Sequence, residues 1–291
     1  MILENDRLLI DIDLPDEGYR NTRFDWTGKI KRLIWAGIPL TTTETEAGES
    51  ALGKGLYNEF CMDNPLGFEE AEIGEWCHKI GVGLLRKTSR EYQFHTSYEV
   101  KPARFSHQLN ENELVIRCVG EVHQGFGYDL VKTIELLNDG LVIHYALVNT
   151  GEKPIDTTEY THNFLAFNHL KIGPDYSLLL PSPIHQEHFG EFVNPDEALR
   201  IHVQHISIQR NPTQPFFISH IFRPEPGAVG WILRHTQVPF SLSEEVSLPA
   251  SKFNLWGTSH VISPEIFVKI HLLPGESTRW NRTVRVQPYS P

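Results

Sequence analysis

The residues best placed to do chemistry are a histidine and a glutamate, each inside a stretch that otherwise reads as buried sheet. His162 lies in TEYTHNFLAFN (158–168) and Glu265 in ISPEIFVKIHLL (262–273). In a strand, alternate side chains share a face. One face of the second stretch collects Ile262, Pro264, Ile266, Val268, Ile270 and Leu272, an apolar row that must be core. The other carries Ser263, Glu265, Phe267, Lys269 and His271. An aromatic ring beside ionisable groups suits a ligand groove, and it also suits a solvated outer face. In the first stretch Thr158, Tyr160, His162 and Phe164 share one face, and Glu159, Thr161, Asn163 and Leu165 the other. Both faces mix aromatic and polar groups. A functional imidazole fits there, and so does a core histidine satisfied by a neighbouring tyrosine or carbonyl.

Other candidate chemistry is weaker. HQEH (His185, His188) and HVQH (His202, His205) are HxxH pairs, but a spacing of three on one strand turns the rings to opposite faces, so no metal site is expected. GVG (81–83) and GFG (125–127) lack the third glycine and the helix of a dinucleotide fingerprint. No G-x-S-x-G appears.

These residues need strands to position them. NELVIRCVGEV, GYDLVKTIELL and GLVIHYALVN are rich in Val, Ile, Leu and Tyr, and the NDG at Asn138–Gly140 between the last two is a hairpin signal. NTGEKP (149–154) reads as the next turn, so the pattern predicts an antiparallel meander running on into TEYTHNFLAFN. Residues 181–226, rich in Pro, His, Asn and Gln, read as long loops with short strands. Strands resume at GAVGWILRHT, FNLWGTSHV, ISPEIFVKIHLL and STRWNRTVRVQ. The 19 prolines and 21 glycines punctuate many short strands. The expectation is one all-β sandwich domain over 1–291 with little helix, a short turn in FEEAEIGEW excepted.

Lys plus Arg is 26 against 37 Asp plus Glu, a net charge of -11. Such a chain repels phosphate backbones and anionic lipid, so neither nucleic acid nor a membrane is an expected partner. It would not repel a neutral sugar. The N-terminal residues hold no apolar run long enough for a signal peptide or a membrane span. Cys61, Cys77 and Cys118 are odd in number and lack CxxC spacing, which fits a reducing cytoplasm. The oligomeric state stays open, a homodimer included.

Several segments together resemble a known family. YTHNFLAFN resembles the strand of aldose 1-epimerases (galactose mutarotases) that carries a catalytic histidine. SPEIFVKIHLLPGES resembles their late strand, where a catalytic glutamate precedes a Leu-x-Pro-Gly-Glu turn. With GYRNTRFDWTGKI and LGFEEAEIGEWCHKIGVGLLRK, the likeness runs from Gly18 to about Trp280 and is similar to a bacterial branch of the mutarotase-like superfamily. It implies a galactose-mutarotase-like β-supersandwich whose groove binds a pyranose, with His162 matching the catalytic acid and Glu265 the catalytic base. Where the family has a further histidine before an arginine, this chain has HKIGVGLLRK, which makes Lys79 and Arg86 candidate substrate contacts.

Mutarotation removes the proton of the anomeric hydroxyl while the ring oxygen is protonated; the ring opens, C1–C2 rotates, and the ring recloses on the other face. It needs an acid and a base on opposite sides of the sugar and neither metal nor redox cofactor. Sugar C–H faces sit on aromatics, so Trp26, Trp76, Trp256 and Phe267 are candidate platforms. Arg20 and Arg23 in GYRNTRFDW could bond hydroxyls or an acid group, or pair at the surface with Asp16, Glu17 or Asp25. If that segment is a strand, Arg23 shares a face with Asp25. The expected function is an aldose 1-epimerase-like isomerase acting on a hexose. The alternatives are a carbohydrate-binding protein that kept the groove without turnover, and a glycoside-active lyase or hydrolase.

Overall fold

The computed structural model describes residues 1–49, 51–221 and 229–289. The segment 222–228, which includes the end of the expected loop region and the first residues of GAVGWILRHT, lies outside the described residues.

Two large antiparallel sheets form the molecule. The first runs, in spatial order, through Ile2–Glu4, Leu8–Asp13, Lys29–Trp35, Leu56–Phe60, Ile155–Asn163, Ile262–Leu272, Ala250–Gly257, Phe216–Ile218 and Phe192–Val193, with Ile38–Pro39 paired to Lys29–Trp35. The second centres on Ser277–Pro288, Gly140–Asn149, Phe126–Leu137 and Glu113–His123. Three short strands, Trp76–Lys79, Gly83–Arg86 and Val100–Pro102, make a separate small sheet. Helix is limited, among the described residues, to two three-residue 3-10 turns, Phe167–His169 and Gln186–His188. FEEAEIGEW holds turns and bends before its strand. No helix of the described residues is long and apolar enough to cross a membrane.

Alternation built this architecture as the sequence predicts. Ile266, Val268, Ile270 and Leu272 meet Leu130, Ile143, Leu147 and Val284 in one core between the large sheets. The NDG hairpin forms, with Leu137 paired to Gly140. Burying such rows, at about 25 cal/mol per Å² of apolar area, is the dominant driving force for the two-layer packing.

The meander does not continue past Asn149. Ile155–Asn163 pairs with Leu56–Phe60 and Ile262–Leu272 in the first sheet, not with Gly140–Asn149 in the second. The 149–154 turn carries the chain between layers. Asn149 pins it there: its side chain donates to the Lys153 and Leu272 carbonyls and accepts from the Gly151 amide. GYRNTRFDW is likewise not a strand but a run of bends. Its aromatics Tyr19, Phe24 and Trp26 join Tyr57, Phe68 and Phe164 in a second apolar cluster on the outer side of the first sheet. The outer face is therefore partly roofed by its own chain. All three cysteines are free and buried.

Candidate active site

The centre of the first sheet sends a polar cluster outward, away from the two-sheet core. Tyr160 opposes Glu59 on one side and Phe267 on the other, and His162 opposes Tyr57. On the next strand Asn254 opposes Glu265 and Trp256 opposes Ser263. Two residues beyond the Tyr160–Phe267 pair, His162 and Glu265 meet. His162 Nε2 lies 3.3 Å from Glu265 Oε1. His162 is 4% exposed and Glu265 5%.

Ser263 completes the arrangement. Its hydroxyl is 3.0 Å from His162 Nδ1, donates to Glu265 Oε1 at 3.1 Å and accepts from the Asn163 amide. Burial, which disfavours a charged ring, holds His162 well below its usual pKa, and the Arg23 charge pushes the same way. Burial raises Glu265 to about 8, against the opposing pull of Arg23 and Ser263. At pH 7 the imidazole is therefore neutral and the carboxyl protonated. With Ser263 donating to Oε1, the remaining donors close a ring: Nδ1–H to Oγ, Oγ–H to Oε1, and Oε1–H to Nε2. Sequence reasoning has the histidine as acid and the glutamate as base on opposite sides of a sugar; here the two groups touch, and burial favours the proton on the carboxyl.

A charged network borders the pair. Arg23 donates to Glu59 at 3.2 Å, Glu44 at 3.3 Å and the Tyr160 hydroxyl at 3.3 Å. Its guanidinium lies between the Phe24 and Phe94 rings, at 4.6 and 4.7 Å from their centroids. Lys79, fully buried, donates to Glu59 at 3.0 Å and to the Tyr92 hydroxyl at 3.0 Å. Burial works against both cations; Tyr160, Glu59 and Glu44 outweigh it for Arg23, and chiefly Glu59 for Lys79. His162 also stacks on Phe164, with centroids 4.1 Å apart, and meets Trp256 edge-on at 5.3 Å.

Of the sequence candidates, His162, Glu265, Arg23, Lys79, Phe267 and Trp256 come together on this face. Phe267 is closed off, sandwiched between Tyr160 at 4.2 Å and the Lys252 ammonium at 4.3 Å, so half-buried Trp256 is the better-presented platform. Arg23 does not share a face with Asp25, because the backbone bends there; Asp25 instead faces Lys132 and Thr27 on the buried side. Arg20 lies elsewhere, over the Trp26 ring with Nη1 on the Asp16 carbonyl. Arg86 is half-exposed on the small sheet, bonded to Glu99 and the Gly74 carbonyl. Trp76 on that sheet is covered by Lys101, and Trp26 stacks on Phe105. His202 and His205 flank a tight turn and stack at 4.0 Å, not on opposite faces of one strand.

Sequence reasoning passed over Ser263, Glu59, Tyr160 and Glu44 as site residues. Ser263 and Tyr160 were on the right faces by alternation, so their signal was present; Glu59 enters through Arg23, Lys79 and Tyr160, and Glu44 through Arg23.

No family model and no curated protein matches the sequence. Solved structures do match. A galactose mutarotase-like protein from Lactobacillus casei superposes with a TM-score of 0.64 at 12% identity over 99% of each chain. A galactose mutarotase related enzyme from Lactobacillus acidophilus gives 0.58 at 10% over 100% of this chain and 98% of that one. An aldose epimerase homologue from C. elegans gives 0.51 at 10% over 100% and 99%. At these identities the likeness is one of fold: the chain has the galactose-mutarotase-like fold, as the sequence resemblance implies.

Proposed function

We propose that this chain is an aldose 1-epimerase-like isomerase that interconverts the α and β anomers of a hexose or hexose derivative. The observation that carries the reading is the buried His162–Glu265 pair, which holds one transferable proton on the side of the sheet away from the core. A carboxyl whose pKa is displaced toward neutrality beside a neutral imidazole has the unlike, transferable protonation that acid–base catalysis uses.

In the proposed step a pyranose parts the two groups. Glu265 gives its proton to the ring oxygen as His162 Nε2 takes the proton of the anomeric hydroxyl. The ring opens to the free aldehyde, leaving carboxylate and imidazolium. After C1–C2 rotation both transfers reverse on the other face of the carbonyl, and the pair regains its starting protons. Each transfer supplies about 10²–10⁴-fold. Ser263 keeps the Nδ1–H tautomer, so the basic lone pair is the one facing the reaction. Trp256 offers the C–H stacking surface, and Arg23 the hydroxyl donor at the rim.

Magnetisation exchange between anomer signals in NMR, run over a panel of hexoses, tests this. Enhanced exchange with at least one sugar, lost in His162→Asn and Glu265→Gln while sugar binding persists, is the expected result. Binding with no enhancement in the wild type would turn the reading to a carbohydrate-binding protein.

A further inference from the structure

A second hollow adjoins the roof of the candidate site. It is an open groove of about 620 Å³ whose lining includes Lys31, Arg32, Lys54 and Lys171 facing Asp11 and Glu46. The volume is in the range of small-molecule sites. Three of the four cations already have a carboxyl. Lys31 is 2.6 Å from Asp13, Arg32 chelates Asp11, and Lys171 pairs with Glu46. Lys54 has no ion-pair partner among the described residues and is half-buried. The groove thus carries one uncompensated, partly desolvated positive charge on a chain whose net charge is -11.

The donors around it are directional. His169 projects from two successive left-handed residues, Asn168 at φ 49° and His169 at φ 57°. Neither is glycine, so the backbone pays strain to present the imidazole there. The Thr42 hydroxyl has no partner among the described residues. A point-charge ammonium with scattered hydroxyl and imidazole donors suits a tetrahedral phosphate better than a planar carboxylate; the one guanidinium fork, on Arg32, is taken by Asp11.

We propose that this groove is a binding site for a small phosphomonoester, anchored by Lys54. The groove shares its wall with the proposed sugar site. Thr43 and Lys54 pair across the base of a hairpin. The residues next to them are Glu44, which grips Arg23, and Gly53, which lies so close to Phe164 that an added Cβ would stand 2.3 Å from the ring. Phe164 is the ring stacked on His162, so an occupant of the groove touches the element that roofs the catalytic pair.

Titration calorimetry with inorganic phosphate and with glucose 6-phosphate tests the site, glucose serving as the uncharged control. Both phosphate compounds should bind saturably, glucose 6-phosphate the more tightly; equal affinity of the two would overturn the monoester assignment in favour of the free ion. Lys54→Gln should weaken both by about tenfold, the size of one lost charge-assisted contact, and Lys54→Arg should restore most of it. Because Lys54 lies outside the core, Lys54→Gln should melt with the wild type. Glu265→Gln should leave phosphate binding unchanged. No saturable binding, equal affinity in Lys54→Gln, or phosphate binding abolished by Glu265→Gln would each overturn the proposal, and none of them bears on anomer exchange.

Discussion

The strand Ile155–Asn163 buries ionisable groups on both faces, and the two clusters are built on opposite rules. On the inner face, Glu159 takes Arg282 Nε at 3.0 Å and Nη2 at 2.8 Å, with the Trp280 indole N–H at 3.2 Å. Glu244 takes Arg282 Nη1 at 2.7 Å, Asn163 at 2.8 Å and the Trp231 N–H at 3.0 Å. Burial opposes the Arg282 charge, but Glu159 and Glu244 outweigh it and hold the guanidinium charged. The guanidinium is held charged by its partners, while burial raises Glu159 against the pull of Arg282. On the outer face, His162 and Glu265 are equally buried but neutral, burial disfavouring the charged form of each. Compensated charge fixes the register of two layers; uncompensated burial leaves a group free to exchange a proton at working pH.

Breaking the inner cluster should have the largest effect. Arg282→Met strands two buried carboxylates and should cost about 3–5 kcal/mol, read in urea unfolding. Adding Glu159→Gln and Glu244→Gln to that variant should recover much of the loss, because the penalty lies in the unpaired charges. If Arg282→Met melts like the wild type, the inner network is not a structural tie.

The outer cluster should reveal itself through pH. Glu265 has a folded pKa of about 8 against an ordinary 4.5, so between those values the unfolded chain sheds a proton that the folded chain keeps. Its contribution to stability is complete below about pH 4.5 and declines as pH rises through 8, by roughly 1 kcal/mol per pH unit. Glu265→Gln should remove that slope from the unfolding free energy, and a Glu265→Gln curve parallel to wild type would contradict it.

Ser263→Ala sharpens the same contrast at smaller scale. It should slow anomer exchange by about tenfold and let the His162 ring sample both tautomers, visible in its ¹⁵N shifts, at a stability cost of about 1 kcal/mol. Smallest of all, Arg86→Gln should leave exchange unaltered and stability within about 0.5 kcal/mol, since its ion pair is exposed.

The all-β architecture was legible because alternation is a local signal: the apolar row Ile262 to Leu272 could belong only to a core. His162 and Glu265 were legible as residues breaking that pattern. Their protonation was not, because it depends on burial and on Arg23, whose approach comes from bends that no periodicity encodes. The change of sheet after Asn149 was equally hidden, as a short turn reads the same whether the next strand pairs in the same layer or crosses to the other. Lys79 and Arg86, seven residues apart, end on one small sheet with unlike fates: one buried against Glu59, the other facing Glu99.

The most direct measurement is an NMR titration of the free protein, following ¹⁵N in His162 and ¹³C in the Glu265 carboxyl. The account predicts a neutral Nδ1–H ring that stays neutral as pH falls through 6.5, and a carboxyl that ionises near 8. An imidazolium beside an ionised Glu265 at pH 7 would contradict it.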